Sequence, residues 1–308
     1  MQTILGATGQ IGQELAKELH DNFTQDIRLV SRNPKKINTT DTLMSANLLD
    51  ATETLNAVRG SDIVYLTAGL PMDTERWIRE WPVIMSNVIN ACEAEKVKLV
   101  YFDNTYMYPQ TSVPHTEETP FEPNGAKGRV RAAIAQQLLD AMAAKRVEAV
   151  ICRAPEFYGP GKTQSITNTL VIEPLAAGQT AKVFFRSDAR RTLIYTPDAS
   201  RAMALIGNTP DAYGQTWHLP CDDSRPTYHE IVQMAASALQ QPAKYKVLKP
   251  WILAIASRLN PLLKEAKELL PRYKQDNIFV SDKFQQRFPE FQVTRFEEAL
   301  KIIAEEYS

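Results

Sequence analysis

The chain is short of net charge, of cysteine, of glycine and of long apolar runs, and each shortage excludes something. Thirty-five Lys and Arg stand against 36 Asp and Glu, for a formal charge of −1. That balance gives no electrostatic case for nucleic acid or an anionic membrane as a partner. The three cysteines, Cys92, Cys152 and Cys221, are far apart and lack metal-ligand spacing. An odd count argues against a disulfide framework and for a reducing compartment. No apolar run reaches the length of a membrane span. Strand-forming residues begin almost at Met1, which leaves no room for a signal peptide. The expectation is a cytoplasmic protein. Internal repeats and low-complexity segments are also missing. The 308 residues suit one large domain or two unequal lobes around a sizeable core.

Glycine is scarce, 12 in all, and three fall at Gly6, Gly9 and Gly12. A short apolar strand, Thr3-Ile4-Leu5, precedes them. An amphipathic helix through Ile11, Leu15, Ala16 and Leu19 follows. Gly6 permits the tight exit from the strand, Gly9 lets backbone N–H groups approach a pyrophosphate, and Gly12 lets helix pack close to strand. The helix N-terminus then presents unpaired donors and partial positive charge to the anion. Gly6, Thr8, Gly9, Gln10 and Ile11 are the candidate phosphate-binding residues.

Farther along, Ile27–Val30, Leu43–Ala46, Ile63–Leu66, Val97–Phe102 and Val147–Cys152 read as strands alternating with helices. The near-continuous apolar runs suit strands buried on both faces of a parallel sheet. The alternation predicts a Rossmann-type doubly wound α/β sheet. Ligands in such sheets sit beyond the strand C-termini. That rule selects Arg32 after the second strand, Thr67, Ala68 and Gly69 after the fourth, and Asp103, Asn104, Tyr106 and Tyr108 after the fifth. Arg32 stands where an acidic residue would bind a ribose 2′-hydroxyl. An arginine there accommodates a 2′-phosphate, so NADP is favoured over NAD.

The segment from Pro109 to Asn124, with His115, reads as a solvated or lid-like loop. A helix is expected from about Gly125 to Ala144, with Lys127, Arg129 and Arg131 in its first turns. Cations are unfavourable there unless an anion offsets them. Lys127 and Arg131 are four apart and share a face. Beyond Cys152 the pattern loosens. Thr169–Ala177 is expected to be helical, Lys182–Phe185 and Thr216–Leu219 to be strands. Thr227 and Glu230 have capping-box spacing. The proline-punctuated remainder reads as small helices. The expected division is a dinucleotide-binding domain over 1–155, with 191–220 returning to it, and a smaller, mostly helical substrate lobe from 156–190 and 221–308.

These residues together resemble the extended short-chain dehydrogenase/reductase superfamily, in its NAD-dependent epimerase/dehydratase branch. Gly6-x-x-Gly9-x-x-Gly12 is similar to the family's nucleotide turn. Asn47-Leu48-Leu49-Asp50 is similar to its Asp-Leu-x-Asp segment, which implies adenine contacts at Asn47 and Leu48. Arg153 to Gly161 resembles its Arg-Pro-x-x-Tyr-Gly-Pro turn and implies nicotinamide contacts near Pro155 and Phe157. Arg191 to Asp198 resembles its Arg-Asp-x-x-Tyr-Val-x-Asp segment, whose arginine often holds a substrate phosphate. Tyr108 matches the tyrosine of the family's Val-Tyr-Gly, and Asn104 takes the place of its hydroxyl residue.

The resemblance breaks at the family's Tyr-Gly-x-x-Lys. With its glycine aligned to Gly128, Lys127 occupies the tyrosine position and Arg131 the lysine position. A second register puts Lys127 in the lysine position and Pro123 in the tyrosine position. Neither keeps the tyrosine. Three readings follow. Lys127 is the acid of an NAD(P)-dependent reductase or epimerase acting on a small carbonyl or hydroxyl compound, as in atypical reductases resembling isoflavone reductase. Tyr106 or Tyr108 donates the proton from the strand side. Or no chemistry occurs, and the chain is an NADP-binding redox sensor resembling NmrA-like regulators. A sugar-nucleotide epimerase or dehydratase with displaced catalytic groups is a further alternative. The family often pairs through the helices here near 74–95 and 127–144, which implies a homodimer.

Overall fold

The computed structural model describes residues 1–161, 163 and 165–307. The chain divides into two compact units. The first comprises residues 1–107, 126–154 and 199–219, and the second 108–125, 155–198 and 220–308. Segments 108–125 and 191–198 therefore group with the second unit, while 199–219 groups with the first.

In the first unit, strand β1 (Gln2–Leu5) runs through the glycine turn into helix α1 (Gln10–Asn22). Then come β2 (Ile27–Ser31), β3 (Thr42–Ser45), α2 (Ala51–Val58), β4 (Ile63–Leu66), α3 (Thr74–Glu95), β5 (Lys98–Asp103), α4 (Gly125–Ala143) and β6 (Ala149–Arg153). These strands and a later one, Thr216–His218, form a seven-stranded sheet, ordered from that late strand through β6, β5, β4, β1 and β2 to β3. All pairings are parallel; Ile4, for example, sits opposite Leu29 on one side and Tyr65 on the other. The order reverses between β1 and β4, which is where a doubly wound sheet opens a ligand crevice.

The apolar runs behave as the parallel-sheet argument requires: β1, β4 and β6 are buried at every residue. Helix α3 is 22 residues long despite Pro82. Proline removes one N–H, so the Ile78 carbonyl loses its helical partner, and Ile78 lies on the exposed face of the helix, where that loss costs little. Trp77, Trp81, Ile84, Met85 and Val88 line the buried face. Cys92 and Cys152 are buried thiols; burial pushes Cys92 up to about 12 and Cys152 higher still, so neither is reactive.

The second unit is more mixed than a helical lobe. It holds β7 (Glu156–Tyr158), a π-helical turn (Asn168–Ile172), α5 (Glu173–Ala176), β8 (Ala181–Phe184) and β9 (Leu193–Tyr195). Helix α6 (Thr196–Gly207) begins in this unit and ends in the first, followed there by β10 (Thr216–His218). Back in the second unit are α7 (Tyr228–Ala238), β11 (Tyr245–Leu248), α8 (Pro250–Leu259), α9 (Pro261–Ala266), α10 (Asp282–Arg287) and α11 (Phe296–Glu305). β7 pairs with β9 and β8 with β11, each in parallel. The pairing strand β11 lies in a stretch whose prolines read as helix punctuation alone. The expected capping box at α7 is present, with Thr227 and Glu230 each accepting from the other's backbone N–H. Tyr158 stacks on Phe296 at 4.3 Å within a core of Val183, Leu193, Ile231 and Leu300.

Candidate active site

The three glycines of the first turn have different reasons for being glycine. Gly6 has φ +96°, and a Cβ there would overlap the Ala68 backbone. A Cβ on Gly12 would sit 2.8 Å from the Gly6 carbonyl oxygen and 2.9 Å from Ala7 Cα. Both are fixed by the close approach of α1 to the strand tips. Gly9 is neither: its φ is −73°, and a Cβ would meet only the Gly6 oxygen, at 3.4 Å. The protein has room for a side chain at this exposed position. The N-terminus of α1 also has no side-chain cap and no acidic residue in its first turn. Open space above uncapped helix donors fits the pyrophosphate of a dinucleotide.

The other proposed cofactor residues of this unit occupy strand tips. Thr8 and Gly9 are exposed, Gln10 is half-buried, and Ile11 is buried with its carbonyl accepting from Ser200. Thr67 is buried and bonds the Leu5 carbonyl, whereas Gly69 is exposed. Arg32 is exposed past the tip of β2, and its carbonyl accepts from Ser45. Asn47 uses its amide oxygen to accept from Leu49 N–H, and the Leu48 carbonyl accepts from Asn87.

The start of α4 carries the unusual chemistry. Arg129 points to solvent, but Lys127 is fully buried and Arg131 nearly so. Lys127 Nζ donates to Thr74 Oγ1 at the beginning of α3. Arg131 reaches the tip of β5, where its guanidinium lies 2.5 Å from Asp103 Oδ1. The other Asp103 oxygen takes Arg153 at 3.1 Å, from the tip of β6. The Tyr101 hydroxyl donates to Asp103 Oδ1 at 3.3 Å, and Asn104 N–H donates to the same oxygen at 2.8 Å. Arg131 also lies over the rings of Trp81 and Tyr101, at 4.9 and 5.5 Å. Burial opposes its charge, but Tyr101 and Asp103 more than offset this and hold its pKa above the ordinary value. So two buried arginines share one buried carboxylate, with a buried lysine one helical turn away. The cations that look unfavourable at a helix N-terminus are answered by Asp103 and Thr74.

The strand-side candidates are placed differently. The Asn104 amide oxygen accepts from Tyr106 N–H in a tight turn. Tyr106 stacks nearly parallel on Trp77, centroids 6.1 Å apart. Thr74 and Trp77, absent from the sequence-based candidates, thus join the site through α3; nothing in their spacing pointed to Lys127.

In the second unit, Tyr108 is buried and its hydroxyl donates to the Thr116 carbonyl at 3.1 Å. His115 is buried too, against the expectation of a solvated loop. Its backbone pairs with Ile278 and Val280, its ring packs on Tyr108 at 5.0 Å, and burial lowers its pKa. Pro155 is buried and Phe157 half-buried on β7. Arg191 is buried, bonding Glu156 at 3.0 Å and the Arg272 carbonyl at 2.7 Å, with its guanidinium 4.4 Å from the centre of the Tyr273 ring. Glu156 also accepts from the Tyr228 and Tyr273 hydroxyls, at 3.2 and 2.8 Å. Arg191 is thus charge-neutralised within its own lobe.

Known proteins agree with this architecture. An uncharacterized protein, y4nL, of Sinorhizobium fredii is 28% identical over 134 residues, a match covering 43% of this chain and 36% of that protein. The chain thus spans little more than a third of that curated relative. UDP-glucuronic acid 4-epimerase from Bacillus cereus, solved with NAD, superposes with a TM-score of 0.79 at 15% identity, covering both chains fully. The dTDP-glucose 4,6-dehydratase DesIV from Streptomyces venezuelae, a double mutant solved with NAD, gives 0.78 at 14% identity, covering 100% of this chain and 96% of the other. Residues 3–219 match the NAD dependent epimerase/dehydratase family, and this chain belongs to that family of extended short-chain dehydrogenases/reductases.

Proposed function

We propose that the chain is an NAD(P)-dependent epimerase or dehydratase acting on a hydroxyl-bearing carbon of a sugar nucleotide, with Lys127 in the place of the family's tyrosine. The observation that carries the reading is Lys127 itself: a fully buried amine, held by Thr74, on the helix face that also meets the tip of β5. Burying an amine is costly, and one held at the strand tips where a doubly wound sheet takes its ligand is placed for chemistry.

A bound nicotinamide supplies reversible oxidation of the substrate carbon. The residues then divide the remaining tasks. Lys127 Nζ holds a proton for the substrate oxygen and gives it up as a carbonyl becomes an alcohol, general acid catalysis worth about 10²–10⁴-fold. Thr74 Oγ1 fixes the direction of that amine. Asp103, Arg131 and Arg153 lock the start of α4 to the tips of β5 and β6. Gly9 and the uncapped α1 donors receive the pyrophosphate. Exposed Arg32 favours a 2′-phosphate, a preference of about ten- to a hundred-fold for NADP from one charge-assisted bond.

The two solved structures named above are enzymes of UDP- and dTDP-sugars by name, which supports a nucleotide-sugar substrate. For this chain, Arg191 would have to exchange Glu156 for a diphosphate. The test is turnover on UDP- and dTDP-sugars and simple carbonyls, by wild type and by Lys127→Met. The expected result is activity on at least one nucleotide sugar, lost at least 100-fold in the variant with cofactor affinity changed only modestly. Turnover that survives Lys127→Met removes the lysine from the chemistry. Cofactor binding that discriminates oxidised from reduced forms, with no turnover on any substrate, favours a redox sensor instead.

A further inference from the structure

The chain-wide charge of −1 conceals a local excess. Between Lys244 and Lys267 stand six cations, Lys244, Lys246, Lys249, Arg258, Lys264 and Lys267, against one carboxylate, Glu265. All six are exposed. In their midst lies α8, whose Trp251, Ile255 and Leu259 are 65%, 54% and 85% exposed, among the most exposed large apolar side chains described.

These three residues are spaced by four, so they fall within roughly 80° of one another around the helix. Arg258 flanks the same stripe. The opposite face carries Leu253, which is buried in the second unit's core. The helix is therefore anchored on one side and presents tryptophan, isoleucine and leucine outward on the other. An aromatic and aliphatic stripe edged by lysine and arginine is the composition of a helix that lies in a membrane interface. Its apolar residues enter the acyl boundary, while the cations reach the headgroups through their flexible stems.

We propose that α8 and its basic surround form a peripheral docking surface for an anionic phospholipid bilayer. Charge complementarity selects this occupant. A second copy of the chain, paired two-fold through the same face, would bring one basic rim that includes Lys249, Arg258 and Lys264 against another, and like charges in apposition are unfavourable. An anionic bilayer satisfies the stripe and the cations together. The inference stands whatever substrate the site takes.

Trp251 supplies its own probe. Trp77, Trp81 and Trp217 are buried, so Trp251 alone of the four tryptophans reports on this face. The experiment is sedimentation of the full chain with phosphatidylcholine vesicles and with vesicles of equal parts phosphatidylcholine and phosphatidylglycerol, with Trp emission recorded at low and high salt. The expected result is binding to the mixed vesicles only, an emission shift to shorter wavelength, and weakening by salt. Arg258→Glu should lower the partition coefficient by about 5-fold or more. Trp251→Ser should lower it by roughly tenfold or more and abolish the shift. Both positions are exposed, so circular dichroism and cofactor affinity should not change. Absence of binding, equal binding to neutral and anionic vesicles, or binding indifferent to both substitutions would overturn the proposal. So would a dimer in light scattering that Trp251→Ser disperses, which assigns the face to a second copy.

Discussion

Asp103→Asn is the substitution whose consequence the structure fixes most tightly. The side chain keeps its size but loses its charge, and two guanidinium groups lose their shared carboxylate. Asp103 is fully buried, and Arg131 and Arg153 are 5% and 1% exposed at the side chain, so water cannot replace it. Breaking a buried ion pair by removing one partner costs about 3–5 kcal/mol, chiefly through the uncompensated charge left behind. Native stability is only about 5–15 kcal/mol, so the loss is a large fraction of the whole. At roughly 2–4 °C per kcal/mol, the melting temperature should fall by about 6–20 °C. The assay is urea unfolding followed by circular dichroism, comparing midpoints at constant slope. Arg131→Met, which leaves Asp103 with Arg153, should cost less, about 1.5–3 kcal/mol. It supplies the measurement if Asp103→Asn does not fold. Arg146→Ala, which removes an exposed pair with Glu93, should leave the midpoint in place. A loss below about 1 kcal/mol for Asp103→Asn would refute the claim that this cluster pins α4 to the strand tips.

The glycine turn makes a paired prediction. Gly9→Ala should leave the melting temperature unchanged yet weaken dinucleotide binding at least tenfold, whereas Gly12→Ala should destabilise the fold by about 1–3 kcal/mol through overpacking against Gly6 and Ala7. Equal thermal losses would contradict the distinction. Burial lowers the pKa of His115 below its ordinary 6.5, so the unfolded chain binds the proton more readily. Its stabilising effect is complete above pH 6.5 and declines as pH falls from there towards the folded-state pKa. Melting temperature against pH should slope more steeply below 6.5 for wild type than for His115→Gln; parallel curves would show that the ring does not resist protonation. Thr74→Val should reduce turnover while leaving cofactor affinity alone, measured by steady-state kinetics beside equilibrium titration.

The first unit was readable because its signals are local. Strands such as Ile63–Leu66 are continuous apolar runs, and a parallel sheet buries them on both faces. The glycine turn, and in the second unit the Thr227–Glu230 capping box, each specify themselves within a few residues. What the sequence hid depends on pairing over distance. Tyr245–Leu248 becomes a strand only because β8, some sixty residues earlier, offers it an edge. Lys127 and Arg131 share a helix face by spacing, yet nothing local says that one meets Thr74 and the other Asp103. Arg191 reads as a phosphate ligand until Glu156 is found beside it. His115 sits in a polar loop, but backbone pairing with Ile278 and Val280 carries it inside.

The central claim is that this turn and these strand tips bind a nicotinamide dinucleotide. Calorimetric titration of the purified chain with NAD⁺, NADH, NADP⁺ and NADPH tests it most directly. The account predicts saturable one-to-one binding, tighter for the phosphorylated pair and with that preference lost in Arg32→Glu. Failure of all four to bind would contradict it.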